Sequence, residues 1–188
     1  MFLLITGASG VGTSTVRRLV HAPFARVLDA AELADAHPRD SARDSARDGA
    51  PTTRWRHEAV ARAVELALGA QRARRHFLLA GDPMPPVEIL SAPSAAALKG
   101  VAVCLLDASE DAHRRRLFLR GDAPERMAEH VAYARWLRAH VVDRHRSPRW
   151  STHVVDTSEL RDYEVAARVA TWIRSVIGFR SRLRVAAG

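Results

Sequence analysis

Eight consecutive residues, Gly7-Ala8-Ser9-Gly10-Val11-Gly12-Thr13-Ser14, carry the spacing of a phosphate-binding glycine loop with one substitution. Gly7 and Gly12 allow the backbone to turn tightly, so that successive N–H groups point into one hollow suited to an anion. Ser14 stands where a hydroxyl reaches Mg²⁺ in such loops, and Thr15 continues the run into the next element. Thr13 stands where an ammonium would meet the β- and γ-phosphates of a nucleotide. Removing one preorganised donor from a transition state costs about 3–4 kcal/mol, roughly a hundred- to thousandfold in rate. The loop predicts polyphosphate binding, and Thr13 then requires either another cation or binding without turnover.

A second group of residues can supply that cation. In His113-Arg114-Arg115-Arg116-Leu117 and Arg120-Gly121, Arg116 and Arg120 lie one helical turn apart on one face, with His113 on the same stripe. Two guanidiniums so placed can grip phosphate oxygens with fixed forks. Three apolar runs end in aspartate, at Asp29, Asp82 and Asp107. Ligands of open α/β sheets gather beyond the carboxyl ends of the strands, which makes Asp29 and Asp82 candidates for acceptor and metal. Asp107 opens a helix and reads as its cap or as a structural residue.

The elements that must position these groups follow from the apolar pattern. Strands are expected at Phe2–Thr6, Arg26–Asp29, His76–Ala80, Val101–Asp107 and Thr152–Asp156. Helices are expected at Thr13–His21, Thr53–Arg72, Val87–Leu98, Glu110–Arg120, Pro124–His140 and Asp162–Val176. Short, continuously apolar strands alternating with amphipathic helices predict an α/β fold, a parallel sheet covered on both faces. The glycine loop then sits between the first strand and the first helix, where its amides gain the helix's partial positive charge. A chain of 188 residues suits one domain spanning 1–188. Residues 35–52 hold the tandem Ser41-Ala42-Arg43-Asp44 and Ser45-Ala46-Arg47-Asp48, a polar stretch without an apolar face, expected to be a mobile loop. Residues 178–188, with Arg180, Arg182 and Arg184, read as a solvated basic tail.

Composition narrows the classes. Hydrophobic residues at 47% and charged residues at 27% describe a soluble globular protein, and no apolar run nears the ~20 residues of a membrane helix. No basic segment precedes the first strand, so no secretory leader is expected. Cys104, the single cysteine, lies within an apolar strand and is expected to be a buried thiol in a cytoplasmic protein. The net charge of +8 favours anionic partners, and all of the Lys+Arg total except Lys99 is arginine. Aromatics do not interleave with the basic residues, and no RNA- or DNA-binding motif is present, so nucleic acid is not the expected partner. The Asn-Lys-x-Asp guanine signature of switch GTPases cannot exist in a chain whose sole lysine is Lys99. His140, Asp143 and His145 read as a polar helix end rather than as a metal site.

The order of these pieces resembles the small P-loop kinases, the nucleoside-monophosphate, shikimate and gluconate kinase group. The likeness covers about 170 residues in general plan and is sharp in two places, residues 7–14 and the run from Val103 through Asp107 to Gly121. The resemblance implies a three-layer P-loop NTPase fold, with a five-stranded parallel sheet of order 2-3-1-4-5. A small helical lid would lie over residues 114–128. It also implies ATP and Mg²⁺ as cofactors and a small-molecule acceptor. The loop residues Gly7 to Thr15 would bind the nucleotide, and Arg116 and Arg120 would neutralise the transferring group. Asp29 would orient the acceptor hydroxyl and take its proton, Asp82 and Ser14 would hold the metal, and Arg54, Arg56 and Asp82 would line the acceptor side. Thr157 and Ser158 follow the fifth strand, where this fold cradles the base. The expected activity is ATP-dependent phosphoryl transfer to a hydroxyl of a metabolite or nucleoside-type acceptor. The alternative is a nucleotide-binding protein that has lost transfer and senses or scaffolds.

Overall fold

The computed structural model describes residues 1–20, 25–29, 53–80, 85–142 and 150–185, with 25–29, 53–56 and 179–185 described as backbone alone. Five strands, β1 (Phe2–Thr6), β2 (Ala25–Asp29), β3 (His76–Ala80), β4 (Val101–Asp107) and β5 (Trp150–Asp156), form one sheet in the order β2-β3-β1-β4-β5. Every pairing is parallel. Parallel neighbours need crossovers, and these are α1 (Thr13–Leu19), α2 (Thr53–Arg72), α3 (Pro86–Ser91), α4 (Glu110–Arg120), α5 (Pro124–Val142) and α6 (Asp162–Val185).

The sheet separates two cores, because alternate residues of each strand point to opposite faces. Phe2 and Leu4 of β1 and Phe77 and Leu79 of β3 pack with Val60 and Val64 of α2, Ile89 of α3 and Leu137 of α5. Leu3 and Ile5 of β1 and Leu78 of β3 face the other way, onto Val16 of α1 and Val169, Trp172 and Ile173 of α6. Central strands buried on both faces explain why β1, β3 and β4 read as unbroken apolar runs.

Several boundaries differ from the sequence expectation: α1 ends at Leu19 rather than His21, β2 begins at Ala25, and α5 runs on to Val142. Three further differences are larger or have a direct physical reason. The helix expected over 87–98 is divided into α3 and a 3₁₀ turn, Pro93–Ala97, because Pro93 cannot continue the amide ladder of the helix before it. β5 starts at Trp150, two residues early, since an edge strand with an alternating, mostly exposed pattern gives a weak apolar signal. The expected tail from 178 is instead the last turns of α6, which passes through Gly178 and ends at Val185. The expected loop at 35–52 and the turn holding Asp82 lie outside the described residues. No helix among the described residues is long and apolar enough to cross a membrane.

Candidate functional site

All five strands run the same way, so their carboxyl ends share one edge of the sheet, and β1 leaves that edge between β3 and β4. Strand order reverses there, which is where open α/β sheets hold their ligands. The loop after Thr6 turns through the bond from Val11 N–H to Ala8 O at 3.3 Å, and α1 begins with Val16 N–H to Gly12 O at 2.9 Å. The amides before Val16 therefore stand at an open helix end with no intrahelical acceptor. α1 is only seven residues long, so the loop's main chain supplies more of the positive potential than the helix does.

The glycines are required by geometry. A Cβ on Gly7 would lie 2.5 Å from Val11 Cγ2 and 2.7 Å from Leu106 O. Gly10 and Gly12 take φ of +91° and +100°, a region that side chains disfavour. Among the described residues, and its chain neighbours apart, no atom lies within 4 Å of a Cβ placed on Gly12, so that side of the loop opens onto space.

That space is a cavity of about 450 Å³. Its floor is residues 9–16, which include Thr13, Ser14 and Thr15; one wall is Arg116 and Arg120 of α4, and the other is Thr157, Leu160, Asp162 and Val165. Gly7 and Ala8 are buried behind the floor, while Ser14 is exposed at the mouth. The structure thus brings the predicted loop residues 9–15 and the arginines Arg116 and Arg120 to one cavity, while of the wall from Thr157 to Val165 the sequence pointed only to Thr157.

The two arginines are held differently. Arg116 donates from Nη1 to Thr157 Oγ1 at 2.9 Å, and from Nη2 to the carbonyl oxygens of Thr157 and, at 3.4 Å, Ser158. Thr157 is itself locked to β4, its N–H reaching Asp107 O at 2.7 Å and its hydroxyl the same oxygen at 3.0 Å. Arg120 donates from Nη1 to Ser9 Oγ at 2.9 Å, inside the glycine loop, and from Nε to Asp122 Oδ1 at 3.0 Å. Its Nη2 also donates to Asp122 Oδ2. The Arg120 guanidinium holds the Asp122 carboxyl below the usual carboxylate range, chiefly through these hydrogen bonds.

His113 was visible in sequence only as a member of the arginine stripe. It is buried, and its Nε2 lies 2.6 Å from Ser9 O. Ser109 caps α4, accepting from Ala112 N–H at 3.3 Å, so Asp107 is not the cap. Asp107 pairs instead with Arg138 of α5 and is structural.

The side chains of the remaining candidates are not among those described. Asp29 ends β2 beside Ala80 of β3, and Arg54 and Arg56 lie in the first turn of α2, all described as backbone alone. Asp82 lies outside the described residues. Among the described residues, no group of three His, Cys, Asp or Glu side chains could hold a metal ion.

No protein-family model matches the chain, and no curated protein matches it in sequence. Among solved structures, the chain is similar to an unliganded sugar kinase from Janibacter sp. HTCC2649, with a TM-score of 0.62 and 18% identity. The match covers 92% of this chain and 93% of that one. At this identity the likeness shows the fold: a kinase-like α/β architecture over nearly the whole length.

Proposed function

We propose that the chain is a P-loop nucleotide-binding protein of the small-kinase type, which transfers a phosphoryl group from ATP to a hydroxyl of a small-molecule acceptor. The observation that carries the reading is the glycine loop at the strand-order reversal, its open side facing a cavity of about 450 Å³ walled by two arginines. Such a hollow suits a polyphosphate, since main-chain amides and guanidiniums are the donors that phosphate oxygens accept from. Mg²⁺, when bound, would neutralise charge on the phosphates, with the Ser14 hydroxyl as its protein ligand in the cavity and Asp82 as the candidate on the acceptor side. The residues of this chain do the positioning. Residues 9–15 wrap the phosphates, Arg120 offers charge beside Ser9 where Thr13 cannot, and Asp29 orients the acceptor and takes its proton.

The test is calorimetry with ATP, GTP and ADP, with and without Mg²⁺, followed by acceptor-dependent ATP consumption over a panel of hydroxylated metabolites. Binding of a triphosphate is expected, and its absence for every nucleotide would remove the proposal. Thr13→Lys is expected to sharpen the preference for ATP over ADP, because the new ammonium meets the γ-phosphate.

A second reading, binding without transfer, is favoured by one observation: both arginines that could replace the lysine are already engaged within the protein, Arg116 to carbonyls and Arg120 to Asp122. Tight nucleotide binding with no turnover across the panel would select it.

A further inference from the structure

We infer that Asp122 is a positioning residue that aims Arg120 into the glycine loop, so that the pair supplies the charge missing at Thr13. The inference rests on the nucleotide reading above and adds a residue to it.

The arrangement begins with how α4 ends. Gly121 takes φ +87°, its N–H returns to Phe118 O at 2.9 Å, and the next N–H, of Asp122, reaches Leu117 O at 3.2 Å. This is the paired-bond helix terminus that needs a left-handed residue, which glycine adopts without a Cβ penalty. The reversal folds Asp122 back alongside the helix it has just left. Its carboxylate thereby meets the side edge of the Arg120 guanidinium, one oxygen on Nε and the other on Nη2. A fork of this kind fixes the plane of the guanidinium as well as its place.

A donor count shows what the fork leaves. A guanidinium has five N–H groups. Two go to Asp122 and one, on Nη1, goes to Ser9 Oγ at 2.9 Å. Among the described residues, one N–H on Nη1 and one on Nη2 remain uncommitted, and Nη1 already lies against the loop. Arg116, by contrast, spends its Nη2 on the two carbonyls of the β5–α6 turn and ties the walls together. Arg120 is therefore the guanidinium equipped for phosphate, and Asp122 is what holds it there.

A carboxylate near a phosphate site can also act as a competing charge. The surroundings favour aiming. Asp122 is faced by Arg120, by His130, whose Nε2 is 3.8 Å from Oδ2, and by the charge of Arg126. Without the carboxylate, the Arg120 guanidinium would keep only the Ser9 hydroxyl as a hydrogen-bond partner among the described residues, and its plane would no longer be fixed. The Asp122 side chain is 12% exposed against 44% for Arg120, so the anchor is the sheltered partner and the arginine reaches out from it.

The experiment is calorimetry of the full chain with ATP·Mg²⁺ and with inorganic tripolyphosphate, at raised ionic strength so that long-range charge is screened. The proteins are the unmodified chain, Asp122→Asn, Asp122→Glu, Arg120→Ala, Arg120→Lys and the double variant Arg120→Ala with Asp122→Asn. Asp122→Asn is expected to weaken both probes by roughly three- to tenfold, the scale of leaving one long side chain to be ordered on binding. The loss should vanish in the Arg120→Ala background, and Asp122→Glu should recover part of it. Arg120→Lys, which keeps the charge but cannot take the fork, should lose affinity like Asp122→Asn, and it serves as the test if the asparagine variant does not fold. Equal or tighter binding by Asp122→Asn, or the same loss with and without Arg120, would overturn the aiming role while leaving nucleotide binding intact. Failure of the unmodified chain to bind either probe would remove both.

Discussion

The Nε2 atom of His113 lies 2.6 Å from the carbonyl oxygen of Ser9, joining the buried face of α4 to the back of the glycine loop. A carbonyl oxygen can only accept, so the proton of this bond is on Nε2. The ring also lies 3.5 Å from where a Cβ on Gly10 would be, so the imidazole both braces the loop and fills the space behind it. His113→Leu removes the donor and leaves a partly buried carbonyl unpaired, at a cost of about 1–3 kcal/mol. Lower thermal stability together with weaker polyphosphate binding is expected. His113→Gln, whose amide can donate from a similar place, should restore part of both. Unchanged affinity in the leucine variant would show that the brace does not shape the loop.

Arg116 and Arg120 should separate by assay. Arg116→Ala removes three bonds to the β5–α6 turn and leaves the Thr157 and Ser158 carbonyls short of a donor, so a fall in melting temperature is expected. Arg120→Ala touches the rim of the cavity and should cost affinity for ATP with little change in melting temperature. Scanning calorimetry and titration calorimetry on the two variants check this. The opposite pattern would reverse the roles.

Two glycines make a paired test of stability. Gly7→Ala places a Cβ 2.5 Å from Val11 Cγ2 and 2.7 Å from a backbone oxygen, and overpacking of that kind costs about 1–3 kcal/mol. A drop of roughly 2–12 °C in melting temperature is expected for a chain of this size. Gly69→Ala sits inside α2 with, among the described residues, only the far end of Arg72 nearby, at 4.0 Å, and should raise stability by about 0.4–1 kcal/mol. Equal effects at both positions would contradict the packing described around the loop.

Cys104 gives a pH-dependent prediction. Burial in β4 pushes its thiol up to about 12. The folded state therefore keeps the proton while the unfolded chain releases it near the ordinary thiol value, about 8.5. Stability from this group is complete below that value and is lost as pH rises from there towards about 12. Cys104 should resist alkylation in the native protein at pH 8 and react once the chain is unfolded, which mass spectrometry after timed exposure measures. Fast native labelling would show that the β4 core opens readily.

Much of this arrangement was legible in the sequence, for physical reasons that also mark where reading stops. The loop was visible because glycines are needed where a side chain collides, as at Gly7, or where φ is positive, as at Gly10 and Gly12. The central strands were visible because burial on both faces leaves no polar alternation. β5 lost its first two residues to its exposed edge position, and Pro93 divided a helix that apolar periodicity alone had joined. Arg116 and Arg120 share a face as their spacing requires, yet their partners could not be read. Arg116 meets a turn 41 residues away, and Arg120 meets Asp122 only because the helix end doubles back. The buried role of His113 was hidden within a run of arginines.

Two of the three contacts made by Arg116 end on peptide oxygens, which every amino acid presents alike. Mutational drift at Leu160, which lines the far wall and whose side chain takes no part in these bonds, can therefore alter what that wall displays while the brace between it and α4 persists. Such a join lets ligand preference vary from one descendant to another without a matching repair elsewhere in the scaffold.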